Sequence, residues 1–155
     1  MTHRTGDEIP LARLFAIAYR ELVDGLHDEL RRRGWTDVRP AFGFVLLALR
    51  DRPRTATQLA ATLGTSKQAT SKLVEAMQNA GYLRSADAPD GRQRPVELTD
   101  RGLTLLDAVE DIYAVLERRW AELLGSDAVD RLRRDLVTVL TSPDTGRLPI
   151  VRPPA

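Results

Sequence analysis

Apolar side chains recur at three- and four-residue steps near the start of the chain, which is the spacing of an amphipathic helix. Pro10 suits the first turn of that helix and Gly34 suits its end, so we predict a helix from about Leu11 to Arg33. A second helix is predicted from about Pro40 to Arg50, although a glycine weakens it. The first apolar stripe consists of Leu11, Leu14, Phe15, Ala18, Leu22, Leu26 and Leu30.

Two short helices joined by a glycine turn are predicted next. Thr55 and Gln58 have the spacing of a capping box, which starts a helix over Ala56 to Leu63. Gly64 ends it, and Thr65 or Ser66 caps a further helix that runs to about Ala80. This order is typical of a helix-turn-helix.

The second of these helices has two different faces. Thr70, Leu73, Val74 and Met77 fall on one side and are predicted to point inward. The opposite side is small, polar or basic near the helix start, which suits entry into a DNA major groove and contact with a phosphate. The same residues also suit a solvated face, and this helix alone leaves both interpretations open. The candidate DNA-binding residues here are Ser66, Lys67, Gln68, Ser71 and Lys72.

A β-hairpin is predicted after the helix-turn-helix. Leu83 to Ser85 form one strand, a Pro-Asp-Gly turn follows, and alternating Val96 and Leu98 mark the returning strand. Arg92 and Arg94 lie near the tip, where they can reach a minor groove or a phosphate. The alternative is a surface hairpin with a local ion pair to Asp90, which would contribute little to stability.

Two helices are predicted to complete the chain. Thr99 caps a long helix with Asp100 at its positive end, and a last helix spans about Ala128 to Leu140. The remaining segment is rich in proline, and we expect it to be extended or disordered.

Composition limits the chemistry that this chain can perform. Its 155 residues predict one compact domain, and the absence of cysteine excludes disulfides and thiol chemistry. His3 and His27 are far apart, so we expect no metal and no cofactor, and the chain lacks the residue sets of an enzyme. No stretch is apolar enough for a membrane span, so we expect no membrane partner and a cytoplasmic location.

The net charge of +1 indicates little, but its distribution is uneven. Between Arg50 and Lys72 five residues are basic and one is acidic, so positive charge is concentrated in the middle of the chain. For Arg50, Arg52 and Arg54, phosphate contact and simple solubility are both open.

The linked motifs resemble the MarR family of bacterial transcription regulators. The matching elements are Leu59-Ala60, Ser66, Ser71, Gly81, Asp90-Gly91-Arg92 and Val96-Glu97-Leu98-Thr99 through Gly102. The resemblance implies a mainly α fold: a winged helix-turn-helix with a two-stranded β wing, and N- and C-terminal dimerisation helices. It implies dimerisation helices at 9–34 and 100–141, a DNA-binding region at 38–99 and a tail at 142–155.

The resemblance also assigns roles to single residues. Asp90 would brace the wing, Arg92 would reach the minor groove, and Arg94 would assist it. Gln93 and Ala69 depart from the family pattern, and the missing cysteine excludes peroxide sensing by the family's thiol route. An effector pocket is expected where the dimerisation helices meet the winged region, with Trp35, Phe42 and Phe44 as candidate lining residues.

The predicted function is therefore that of a sequence-specific DNA-binding transcription regulator. We expect a homodimeric repressor on a near-palindromic site in double-stranded DNA, released by a small-molecule effector. The alternative is a winged-helix protein-interaction module that does not read DNA.

Overall fold

The structure, a computed structural model, describes residues 8–88 and 93–153. Within these ranges it contains six helices and one two-stranded sheet, which confirms the mainly α winged helix-turn-helix predicted from the sequence. In chain order the elements are α1 (Leu11–Arg32), α2 (Phe42–Ala48), α3 (Ala56–Leu63), α4 (Lys67–Asn79), β1 (Leu83–Ser85), β2 (Val96–Leu98), α5 (Asp100–Leu124) and α6 (Ser126–Leu140).

Side-chain caps fix the start of the helix-turn-helix. The Gln58 amide donates to the Thr55 hydroxyl at 3.1 Å, and the Thr55 amide donates to the Gln58 side chain at 2.9 Å, which completes the predicted capping box. Gly64 ends α3 with a φ of +68°, a conformation that glycine adopts without steric cost. Ser66 then caps α4 by accepting from the Ala69 amide at 3.1 Å.

The bounds of two helices differ from the prediction. Helix α2 is shorter at both ends, because turns close around Pro40 and Arg50 with i to i+3 hydrogen bonds instead of continuing the helix. Helix α6 begins at Ser126 rather than near Ala128, since Gly125 takes a φ of +90° and lets the chain restart at once.

Helix α5 is the longest element and organises the core. It packs against α1, α2, α6 and β2, so its buried side chains join the N-terminal helix to the winged region. The fully buried core side chains include Leu30, Val45, Leu46, Leu59, Met77, Leu105 and Ile112.

The wing rests on a third backbone segment that the sequence did not indicate. Strands β1 and β2 are antiparallel, with Leu83 opposite Leu98 and Ser85 opposite Val96. Val96 also pairs with Arg54 through two backbone hydrogen bonds of 2.8 and 3.1 Å. The segment before α3 is therefore hydrogen-bonded to the base of the wing.

The chain after α6 folds back toward the helix-turn-helix. A turn over residues 142–147 is closed by the Ser142 amide donating to the Arg147 carbonyl at 3.0 Å. Farther on, the Arg152 guanidinium donates to the Thr62 carbonyl at the end of α3, at 3.1 Å. No helix in the described ranges combines the length and apolar character needed to cross a membrane.

Candidate nucleic-acid interface

Helix α4 is anchored by its inner face, as the sequence predicts. Thr70, Val74 and Met77 are buried and Leu73 is half-buried. The one polar member of this set is satisfied, because the Thr70 hydroxyl lies 2.8 Å from the Thr65 hydroxyl. This anchoring fixes which residues of α4 face solvent.

The outer face of α4 leaves its cations unneutralised. Within the part of the chain that the structure describes, Lys67 and Lys72 form no ion pair and the Gln68 side chain forms no hydrogen bond. All of the predicted contact residues on this helix are exposed, namely Ser66, Lys67, Gln68, Ser71 and Lys72. Basic side chains without acidic partners can bind a polyanion without first breaking an ion pair.

Part of the wing extends this surface. Arg94 is exposed, whereas Asp90 and Arg92 lie outside the described residues, so their roles stay predictions. The Gln93 side chain accepts a hydrogen bond from the Thr57 hydroxyl at 3.0 Å, which joins the wing to α3. The wing and the helix-turn-helix thus form a connected surface.

The basic cluster before α3 divides into three different environments. Arg50 pairs with Glu110 on α5, and the half-buried Arg54 donates to the Ala48 carbonyl at 2.7 Å. Only Arg52 of the three is exposed and without an acidic partner among the described residues. Arg50 and Arg54 are therefore engaged within the protein.

Comparison with known proteins agrees with this architecture. Residues 43–93, which run from α2 through the helix-turn-helix into the wing, match the MarR family model. Over this third of its length the chain is similar to the MarR family. No curated protein matches the chain.

Solved structures of MarR-family regulators share its fold. Wild-type apo MarR from E. coli is 24% identical, with 85% of this chain and 97% of that chain covered and a TM-score of 0.71. The transcriptional regulator Tm0710 from Thermotoga maritima is 20% identical, with 84% of this chain and 91% of that chain covered and a TM-score of 0.64. A mutant of S. aureus MepR bound to an oligodeoxyribonucleotide is 20% identical, with 86% of this chain and 97% of that chain covered and a TM-score of 0.61.

A cavity of about 300 Å³ lies between α1, α2 and α5. Of the three candidate residues for an effector pocket, Phe44 lies in the wall of this cavity, whereas Trp35 and Phe42 lie outside it and pack against Tyr82. The loop between α1 and α2 closes one side through Val38, Arg39 and Pro40. The rest of the wall is mostly aliphatic.

Burial disfavours the charged forms of two groups in the cavity wall, His27 and Tyr113. Desolvation lowers the pKa of His27, and the nearby Arg31 charge lowers it further. Desolvation also raises the pKa of Tyr113. The cavity therefore offers an imidazole and a phenol as neutral hydrogen-bonding groups, and Arg39 and Glu110 also lie in its wall.

One group of residues at the base of the wing was missed by sequence reasoning. Tyr82, which follows α4, is fully buried, and its hydroxyl donates to Asp37 in the loop between α1 and α2. Burial raises the pKa of Tyr82 to about 12, with the Asp37 carboxylate as the second cause. The Arg101 guanidinium lies 4.9 Å from the Tyr82 ring and 5.1 Å from the Trp35 ring. No periodicity or short motif connects residues so distant in sequence.

Proposed function

We propose that this chain is a sequence-specific DNA-binding transcription regulator that acts as a homodimeric repressor. Its site would be a near-palindromic stretch of double-stranded DNA, and a small-molecule effector would release it. Residues 38–99 would bind DNA, while residues 9–34 and 100–141 would form the dimer. The observation that carries this proposal is the exposed, unneutralised start of α4 beside the wing.

The residue types on α4 suit base readout in a major groove. Gln68 can bond the edge of an adenine through both atoms of its amide, and Lys67 or Lys72 can reach a guanine or a phosphate. The small hydroxyls of Ser66 and Ser71 permit a close approach of the helix to DNA. The oligodeoxyribonucleotide bound by the MepR mutant, a protein of the same fold, supports this choice of partner.

Apolar surface at the ends of the chain supports the dimer. Phe15 on α1 is 44% exposed, Leu123 at the end of α5 is 85% exposed and Val139 on α6 is 79% exposed. Large contiguous patches of exposed apolar side chains mark interaction surfaces. A second copy that covers these helices would place two winged regions on successive major grooves.

The cavity supports an effector. Its volume of about 300 Å³ lies at the lower end of ligand pockets, and its mostly aliphatic wall suits a small apolar or aromatic molecule. Such a molecule can release DNA only if it binds two dimer conformations with different affinities.

The decisive experiment measures binding to DNA from the region upstream of the protein's own gene by fluorescence anisotropy. We expect a Kd of ~10⁻⁸ M or tighter at ordinary salt, weakening steeply as salt rises. Lys72→Ala should weaken binding to all DNA sequences alike. It should also reduce the slope of log affinity against log salt concentration by about 1 per protomer. Gln68→Ala should instead change the binding free-energy difference between alternative bases at one base pair by ~1–3 kcal/mol.

A matched control removes a positive charge elsewhere. Arg31→Ala deletes an exposed cation on α1 that pairs with Asp28, so we expect DNA affinity and salt slope to stay unchanged. Unaltered binding by both Lys72→Ala and Gln68→Ala would remove the DNA-reading assignment. Protein partners that remain after nuclease treatment would then favour the interaction module.

A further inference from the structure

The base of the wing is held by a cluster from three separate parts of the fold. The Tyr82 cluster consists of Trp35 and Asp37 from the loop after α1, Tyr82 from the end of α4, and Arg101 from α5. The Tyr82 hydroxyl donates to the Asp37 carboxylate and accepts from the Arg101 guanidinium at 3.3 Å. Arg101 also lies 3.6 Å from Asp37, which closes a triangle of polar contacts.

On one side the Tyr82 cluster is continuous with the DNA-facing elements. The Tyr82 amide donates to the Met77 carbonyl of α4 at 2.9 Å, and its carbonyl accepts from the Thr99 amide at 3.0 Å. Strand β1 begins at the next residue. A displacement of Tyr82 therefore moves the end of α4 together with the base of the wing.

On the other side the Tyr82 cluster is continuous with the cavity. Asp37 is followed directly by Val38, Arg39 and Pro40, which form one wall of that cavity. A group that fills the cavity presses on the same short loop that carries Asp37. The loop that lines the cavity is thus connected to the base of the wing by the hydrogen bond between Asp37 and Tyr82.

The polar part of the Tyr82 cluster contributes little to stability but fixes geometry. Asp37 and Arg101 are each about half exposed, and ion pairs at such sites contribute little. Phenylalanine would fill nearly the same buried volume as Tyr82 without needing a partner for a hydroxyl. The Tyr82→Phe variant would lose the directional hydrogen bond from the Tyr82 hydroxyl to Asp37, which joins the loop to the base of the wing.

We propose that Tyr82 is a positioning residue through which the loop along the cavity sets the orientation of the wing and α4. Its hydroxyl, bonded to Asp37 and Arg101, transmits a change in the cavity wall to the DNA-facing elements. This inference rests on the proposed DNA binding and names the residues that would couple it to the cavity.

The test uses a built-in occupant of the cavity instead of an unidentified ligand. Gly43 lines the cavity, and a Cβ added there meets no atom within 4 Å, so Gly43→Leu places an aliphatic side chain in the open space. Gly43→Ala is the matched control, because it changes the helix without filling the cavity. In the wild-type background we expect Gly43→Leu to change DNA affinity about tenfold, within the usual range of coupling between sites.

The coupling should depend on the Tyr82 hydroxyl. In a Tyr82→Phe background we expect Gly43→Leu to change DNA affinity by less than about twofold, while the melting temperature of Tyr82→Phe stays close to wild type. Asp37→Ala should behave like Tyr82→Phe, and Asp37→Asn should recover part of the coupling because an amide oxygen can still accept the hydroxyl proton. An effect of Gly43→Leu that is equal in both backgrounds, or absent in wild type, overturns the inference.

Trp35 provides a readout that does not require DNA. The chain has two tryptophans, so Trp120→Phe leaves Trp35 as the sole emitter inside the Tyr82 cluster. Gly43→Leu should shift its emission or change its quenching by iodide, and Tyr82→Phe should abolish that change. An unchanged Trp35 signal contradicts the inference, whereas a wild-type protein that ignores DNA contradicts the proposed function instead.

Discussion

Gly102 offers a strong test of how the wing joins the long helix. It lies in the first turn of α5, where its amide donates to the Thr99 hydroxyl at 3.1 Å. A Cβ built on Gly102 would lie 2.3 Å from the Tyr82 carbonyl oxygen and 3.2 Å from its carbon. Both neighbours are backbone, so no side-chain rotation can relieve the contact in Gly102→Ala.

The expected cost follows from the shift that the contact demands. Helix α5 and the wing root must separate by about 1 Å to reach ordinary van der Waals distance. Overpacking of this kind costs about 1–3 kcal/mol. The shift also weakens the bond from the Thr99 amide to the Tyr82 carbonyl and the cap, adding about 1–2 kcal/mol. The better helix propensity of alanine offsets about 1 kcal/mol of this cost, so we expect a net loss of about 1–4 kcal/mol.

Urea unfolding followed by far-ultraviolet circular dichroism measures this loss. Protein concentration must be the same for all variants, since a dimer gains apparent stability with concentration. Gly43→Ala is the matched control: it is also a helical glycine, but its added Cβ meets nothing within 4 Å, so it should stabilise by about 0.5–1 kcal/mol. A Gly102→Ala protein as stable as wild type would refute the close-contact argument.

Three further predictions concern stability. Thr55→Ala removes the capping box of α3 and should lower the unfolding free energy by about 1 kcal/mol in the same urea assay. Leu105→Ala opens a void at a fully buried position and should cost about 2–5 kcal/mol, whereas a cost below about 1 kcal/mol would place Leu105 outside the core. Because burial raises the pKa of Tyr82 from 10.0 to about 12 on folding, ionisation of Tyr82 does not lower the folding stability below pH 10 but lowers it progressively as pH rises toward 12. Urea midpoints measured across this window should fall less steeply for Tyr82→Phe than for wild type, with a remaining slope from Tyr113.

Local signals predicted the bounds of α3 and of both strands correctly. Helix α3 and both strands begin and end where the sequence places them. Their determinants, the Thr55 capping box and the Gly64 turn, act over three or four residues and are visible in the chain itself. The face of α4 was predictable for the same reason, because the helical repeat decides which side chains are buried.

Contacts between distant segments could not be predicted in this way. The Arg54–Val96 pairing and the Asp37–Tyr82 bond join residues about 40 positions apart, and no local pattern marks either partner. Trp35 and Phe42 were predicted to line the effector pocket, but they lie outside the cavity and pack against Tyr82, because the position of the cavity depends on how α1, α2 and α5 pack. The sequence therefore indicated the region of the cavity and not its wall.

The charge distribution shows why net charge is a poor guide to this protein. A total of +1 permits almost any partner. In the fold, however, several arginines in or directly after α1, α5 and α6 are paired with the chain's own carboxylates, including Arg33 with Asp111 and Arg133 with Glu117. The lysines of α4, by contrast, have no acidic partners in the described ranges. The exposed start of α4 therefore carries unpaired positive charge, although the whole chain is nearly neutral.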